Sequence, residues 1–257
     1  MRILRLLFAT SIVLAGLLFA SPASAATISV CAVGCDYTTI QDAVTAAEAT
    51  PAQDTINVAS GTYPASNVKI TQPTRILGAG AGTTILDGGG LNKQIFDIRP
   101  AATGEGEIDI KNMTLTNAGT ATYAVYVGIK QPSTEITSIG FEYLKFTNGG
   151  TTGYGIYADS GVSAGANREA PPLEITDSEF VGTKYNNIGV DSYDGNVRIA
   201  GNDMHEAAGG NSAIFVGNEY TPYRLTHKMA ATNNTITDCR LFYLRTAFGV
   251  VKDAAGC

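Results

Sequence analysis

Asp159 and Asp191 stand at equivalent places in two short apolar segments, Ile156-Tyr-Ala-Asp159 and Ile188-Gly-Val-Asp191. Laid side by side in neighbouring strands, their backbones come within about 5 Å. Two carboxylates that close repel unless a cation or a proton lies between them. Calcium suits such an oxygen-rich place, and Asp194 is near enough in sequence to add a third ligand. Two residues before each aspartate position, related segments carry Tyr126, Tyr157, Phe215 and Tyr243, with Gly189 the exception. Their rings offer flat apolar faces with polar handles, and Arg245, in the aspartate column, offers a fork for an anionic group. A plainer account stands beside this one. Aromatic residues are good strand formers that pair with their neighbours, and aspartate is common at strand ends.

Other chemistry-bearing residues are scattered. Asp203 and His205 are two apart, so one strand face carries both as a possible acid–base pair. Lys184 and Tyr185 offer a base in a loop. Gly78-Ala-Gly-Ala-Gly82 lacks the Lys-Ser/Thr of a phosphate loop and reads as a turn. Four cysteines, Cys31, Cys35, Cys239 and Cys257, allow three disulfide pairings. The sequence-local pairs Cys31–Cys35 and Cys239–Cys257 are favoured, stapling the two ends. No histidine lies near Cys31 and Cys35, which argues against a metal site there.

These residues need a scaffold that stacks similar segments. Five stretches share an apolar residue, a turn residue two places on, and a large apolar residue three beyond that. They are Ile110–Leu115, Phe141–Phe146, Ile175–Phe180, Ile199–Met204 and Ala231–Ile236. Asn112, Asp177, Gly201 and Asn233 fill the turn column, where such residues tolerate left-handed backbone angles, while Tyr143 breaks the pattern. A second short strand follows each: Val125–Val127, Ile156–Ala158, Ile188–Val190, Ile214–Val216 and Phe242–Leu244. Coils of about twenty or more residues, each pairing only with its neighbours, account for this order. The expectation is an all-β right-handed parallel β-helix, a solenoid. The competing architecture is a β-sandwich, which also uses short alternating strands.

A solenoid has two open ends. Ile40, Ala43, Val44 and Ala47 share a helical face after Thr38 or Thr39, so a helix near 39–49 is placed to cover the first. Residues 36–50 form the expected N-terminal cap, 54–245 the rungs and 246–257 a tail for the far end. Residues 1–25 read as a signal peptide: Arg2 and Arg5 precede an apolar run from Leu6 to Ala20, and Ala23-Ser-Ala25 fits a cleavage site. The mature chain, 26–257, is then a single exported domain, secreted, periplasmic or on the cell surface. It has no second apolar run long enough to span a membrane.

The sequence has 29 Gly, no Trp and 16% charged residues, and a net charge of −6 that cleavage makes two units more negative. An acidic chain without a basic cluster does not suit nucleic acid.

Five N-terminal stretches carry a family likeness. Asp36-Tyr-Thr-Thr-Ile-Gln-Asp-Ala-Val44, Asp54-Thr-Ile-Asn-Val58, Gly61-Thr-Tyr63, Val68-Lys-Ile70 and Ile76-Leu-Gly-Ala-Gly80 resemble the opening of pectin-lyase-like right-handed β-helix proteins. Pectin methylesterases and bacterial surface β-helix proteins open this way. The resemblance implies a cap and first rung across about residues 36–87. It does not carry the family's chemistry, which is grafted on the fold. No Glu follows Gly61-Thr-Tyr63 closely, the esterase's Leu-Gly-Arg-Pro-Trp motif is absent, and neither His205 nor His227 has the flanking glycines of polygalacturonases.

The expectation is therefore an exported β-helix protein that binds glycan or another surface without catalysis, with Ca²⁺ as an optional ion. The alternative is a calcium-dependent polysaccharide lyase acting on an acidic polysaccharide. A third reading is a structural piece of a larger assembly.

Overall fold

The computed structural model describes residues 24–50, 52–101, 105–129, 136–147, 152–160, 170–205, 213–217, 229–237, 243–246 and 249–251. Cys239, Cys257 and His227 lie outside them.

The apolar–turn–apolar pattern folds as a parallel β-helix. One column of strands runs Thr27–Val30, Asp54–Val58, Thr74–Gly78, Gly106–Thr116, Ile136–Thr147, Leu173–Thr176, Val197–Ala200 and Met229–Thr232, each parallel to the next. Past a bend, a second column joins the same sheet: Gly61–Pro64, Thr84–Asp87, the far halves of the two long strands, Glu179–Val181, Asp203–His205 and Thr235–Ile236. The other sheet stacks Val68–Ile70, Phe96–Ile98, Tyr123–Gly128, Tyr154–Asp159, Ile188–Asp191, Ile214–Gly217 and Tyr243–Thr246. This parallel pairing rules out a sandwich, whose sheets are antiparallel.

Register aligns like with like. Ile56, Ile76, Ile110, Phe141, Ile175 and Ile199 form one continuous interior column, each at most 1% exposed. Burying each such side chain fully is worth about 1.5–3 kcal/mol. Leu86, Leu115, Phe146, Phe180 and Met204 form a second column, in which the rings of Phe146 and Phe180 stack at 4.5 Å.

The bend between the first two columns is left-handed at Asn112, Asp177, Gly201 and Asn233, as their residue types predict. Tyr143, the exception in sequence, takes the same conformation at φ 52°. Pairing on both sides of it, Glu142 with Lys111 and Leu144 with Met113, leaves the residue between no other path. The next position is bonded from coil to coil. The Leu144 N–H donates to Ser178 Oγ at 3.1 Å, the Ser178 N–H to Asn202 Oδ1 at 3.0 Å and the Asn202 N–H to Asn234 Oδ1 at 3.1 Å. Asn202 Nδ2 in turn donates to the Ile175 carbonyl at 2.9 Å. This satisfies backbone groups that a tight interior bend would otherwise orphan.

The helix spans Ile40–Ala47, and Thr39 caps it by accepting the Asp42 N–H. Its buried face is Ile40, Ala43, Val44 and Ala47, packed on Thr27–Val30, Asp54–Val58 and Val68–Ile70. The first strand is a correction to the sequence reading, which began the rungs at 54. Thr27–Val30 precedes the helix and pairs with Asp54–Val58, and four residues beside a small-residue stretch give too little alternation to stand out. The Cys31–Cys35 disulfide follows it, with Cα atoms 5.5 Å apart. At the far end, Gly249–Val251 pairs antiparallel with Tyr243–Thr246.

Candidate functional site

The outer side of the second sheet carries the expected columns in the expected register. Tyr126 pairs with Tyr157, Tyr157 with Gly189, Gly189 with Phe215 and Phe215 with Tyr243. Gly128, Asp159, Asp191, Gly217 and Arg245 follow in the adjacent column. The side chains of Tyr243 and Arg245 lie outside the description.

Tyr126 does not project into water. Tyr126 is 8% exposed, and Asp191 9%. The tyrosines lie down along the sheet, and each reaches a carboxylate one coil on. The Tyr126 hydroxyl donates to Asp159 Oδ2 at 2.7 Å, and that of Tyr157 to Asp191 Oδ2 at 3.1 Å. Burial, then the bonded aspartate, raises the Tyr126 pKa well above 10; burial, then the charge of Asp191, does the same to Tyr157. Both hydroxyls therefore stay protonated and donating.

Glycine makes this posture possible. A Cβ on Gly128 would fall 2.6 Å from the Tyr126 ring. On Gly189 it would fall 2.7 Å from Tyr157 and 2.8 Å from Tyr154, and on Gly217 2.7 Å from Phe215. The glycines that interrupt the sequence columns are thus the floor under the rings.

Sequence reasoning missed Tyr123 and Tyr154. Simple alternation puts Tyr123 on the opposite face from Tyr126. Ala124 and Val125 are both fully buried, however, so simple alternation does not hold here. Tyr123 consequently stacks on Tyr126 at 5.3 Å and on Tyr157 at 4.7 Å, and Tyr154 meets Tyr157 edge-on at 5.0 Å. Tyr185 continues the cluster at 5.9 Å from Tyr154.

The same face runs into a hollow of about 440 Å³ lined by Asn67, Lys69, Thr71, Gln94, Asp97 and Arg99. Lys69 pairs with Asp97, and Asp97 with Tyr126, in the column of the tyrosines. Arg99 joins the two regions. Its Nε bonds Asp97 Oδ1 at 2.7 Å, and its guanidinium carbon lies 5.0 Å from the Tyr126 ring centroid. The Asp97 bond raises the Arg99 pKa further. The strand Phe96–Ile98 is three residues long, too short for a sequence signal of its own.

Asp159 and Asp191 are direct register partners, as expected. Asp194 lies in the turn beyond, where its N–H donates to Ser160 Oγ at 3.1 Å and its carbonyl accepts the Ala170 N–H. Among the described residues no group of three or more His, Cys, Asp or Glu is disposed to hold a metal ion. Tyrosine hydroxyls meet the paired carboxylates of Asp159 and Asp191.

Asp203 and His205 do come together, with His205 Nε2 3.1 Å from Asp203 Oδ2 and Nδ1 2.9 Å from Thr237 Oγ1. This pair is on the other sheet, away from the tyrosines. Lys184 Nζ lies 5.4 Å from the Tyr185 ring centroid. Gly78 ends a strand, where a Cβ would collide with the Asn112 carbonyl, so it serves close coil packing.

Fold and face together define a parallel β-solenoid with a helical N-terminal cap and a tyrosine-paved side. Among the described residues no helix is long and apolar enough to cross a membrane. No protein-family model, no curated protein and no solved structure matches the chain.

Proposed function

We propose that the chain is an exported solenoid that binds glycan on its tyrosine face without catalysing a reaction. The observation that carries this reading is the pavement of Tyr123, Tyr126, Tyr154 and Tyr157, with ring centroids 4.7–6.4 Å apart, over glycines. Flat, fixed rings suit the apolar C–H faces of sugars, and neighbouring amides, hydroxyls and charges suit their polar rims. Fixing the rings beforehand lowers the entropy lost on binding. Export follows from the leader-like residues 1–25.

The polysaccharide lyase reading has less behind it, because the aspartates it needs for calcium are engaged by tyrosine hydroxyls. A glycan array run beside a product assay separates the two. Retention without product, lost in a Tyr123→Ala/Tyr157→Ala variant that keeps its circular dichroism spectrum, supports binding. Rising ultraviolet absorbance from unsaturated uronate, dependent on calcium, would move the face to the lyase class. No retention on any glycan would end the reading.

A further inference from the structure

Asp54 is a carboxylate where the fold otherwise buries hydrocarbon. It opens the strand Asp54–Val58, whose alternation buries Asp54, Ile56 and Val58, and it is 2% exposed. Taking a charge out of water without an opposite one beside it is costly. Its hydrogen-bond partners among the described residues are the Thr50 hydroxyl, 3.5 Å from Oδ2, and the Ala26 N–H, 2.6 Å from Oδ1. No Lys, Arg or His among the described residues forms an ion pair with it. Ala26 is also the residue that cleavage after Ala23-Ser-Ala25 makes the first of the chain. Its carbonyl accepts the Thr55 N–H at 2.9 Å, so both its nitrogen and its carbonyl are held by the start of the next strand. Ala25 and Ala26 are exposed, which leaves the peptide bond between them open to a peptidase.

We propose that removal of the leader completes the N-terminal cap, by setting the new α-ammonium of Ala26 against the buried carboxylate of Asp54. Water hydrolyses the Ala25–Ala26 peptide bond under a signal peptidase. The carboxylate so formed departs on Ala25 with the leader. The amine left on Ala26 takes up a proton at neutral pH, since such amines titrate at about pH 8. The nitrogen already bonded to Asp54 thus gains a positive charge without moving, and an amide-to-carboxylate bond becomes an ion pair. The strand this anchors, Thr27–Val30, ends the first sheet and supports the helix Ile40–Ala47. Cleavage therefore tightens the strand on which the cap is built. The proposal rests on the export part of the functional reading and is independent of glycan binding.

Two measurements test it. The first is the mass of the product when the full chain is expressed in a secreting host. A product that begins at Ala26 is expected. An exported product with another first residue would overturn the pairing and leave export standing, whereas a full-length chain retained in the cells would remove export and pairing together. The second compares two otherwise complete chains, one beginning at Ala26 and one at Ser24, each released from a removable fusion with the Cys31–Cys35 disulfide formed. In the longer one the Ala26 nitrogen stays an amide. It should melt lower by about 4 °C or more, and its Thr27–Val30 amides should exchange about tenfold faster. With Asp54→Asn, which keeps an acceptor oxygen and removes the charge, the two beginnings should melt alike. Equal melting and exchange of the two unaltered chains would overturn the proposal. So would a difference that persists undiminished in Asp54→Asn. Should that variant fail to fold, the two unaltered chains decide.

Discussion

The hydroxyl of Tyr126 is bonded to Asp159 on the next coil at 2.7 Å, and Tyr157 repeats the bond to Asp191 one coil further on. The repetition makes the pair a property of the stack rather than of one strand, and it bears directly on how the tyrosines ionise.

Burial is the first cause raising Tyr126 and Tyr157 above the ordinary 10.0, and the aspartates add to it. A raised phenol means that the folded chain keeps a proton that the unfolded chain loses. Stability is thus full below pH 10, falls as the pH rises past that value, and levels only above the folded-state value. Alkaline titration followed by phenolate absorbance, with no Trp to interfere, should show these tyrosines titrating later than exposed ones. Asp159→Asn should bring Tyr126 down toward 10 without reaching it, since burial remains.

Gly189→Ala tests the floor of the pavement. The added methyl would sit within 2.7–2.8 Å of the Tyr157 and Tyr154 rings. Nothing in the backbone forbids alanine there, so the cost is overpacking, about 1–3 kcal/mol. Denaturant unfolding should report that loss, and the near-ultraviolet dichroism of tyrosine should change while the far-ultraviolet spectrum holds.

Asn202→Ala removes the carbonyl oxygen that receives the Ser178 N–H and the amide that serves Ile175. Asn202 is 1% exposed, so water cannot replace them. A loss of about 1–3 kcal/mol is expected for each orphaned group in urea unfolding.

Tyr143→Asn should stabilise. Tyr143 holds φ 52° with half of its surface exposed, so the ring contributes little burial to offset a left-handed backbone. Asparagine fills the equivalent bend at 112 and 233. A gain of about 1 kcal/mol is expected, read as a higher urea midpoint at unchanged slope.

Replacing Cys31 and Cys35 together by Ser should cost about 2 kcal/mol, the value for so short a loop. The strand beside it should survive, because Asp36 also bonds the Ser29 N–H at 2.8 Å and its hydroxyl at 2.6 Å. Thermal unfolding with the parallel-sheet dichroism intact below the transition checks both parts.

Much of this was legible in sequence, for definite reasons. Asn112, Asp177, Gly201 and Asn233 announced the bend because few residue types accept a left-handed backbone. The columns through Tyr126 and Asp159 followed once the apolar residues fixed the register, since side-chain direction has a period of two. The posture of the rings was not legible. Alternation says which way a tyrosine leaves the sheet and not that it then folds flat over Gly128 or Gly189 toward a carboxylate. Tyr123 was hidden because the successive residues Ala124 and Val125 are both buried, which breaks simple alternation, and Arg99 by the brevity of Phe96–Ile98. Cys239 and Cys257 fall outside the described residues.

The tyrosine–aspartate bonds have a mechanical consequence for the solenoid. Edge-to-edge hydrogen bonding between coils by itself tolerates a slide of two residues with every apolar side chain still facing inward. A slide of that size at Tyr154–Asp159 would carry Asp159 away from Tyr126 and leave a phenol and a carboxylate without each other. The two bonds therefore act as keys that hold successive turns in alignment, so the surface offered to a ligand and the winding that builds it are enforced by the same atoms.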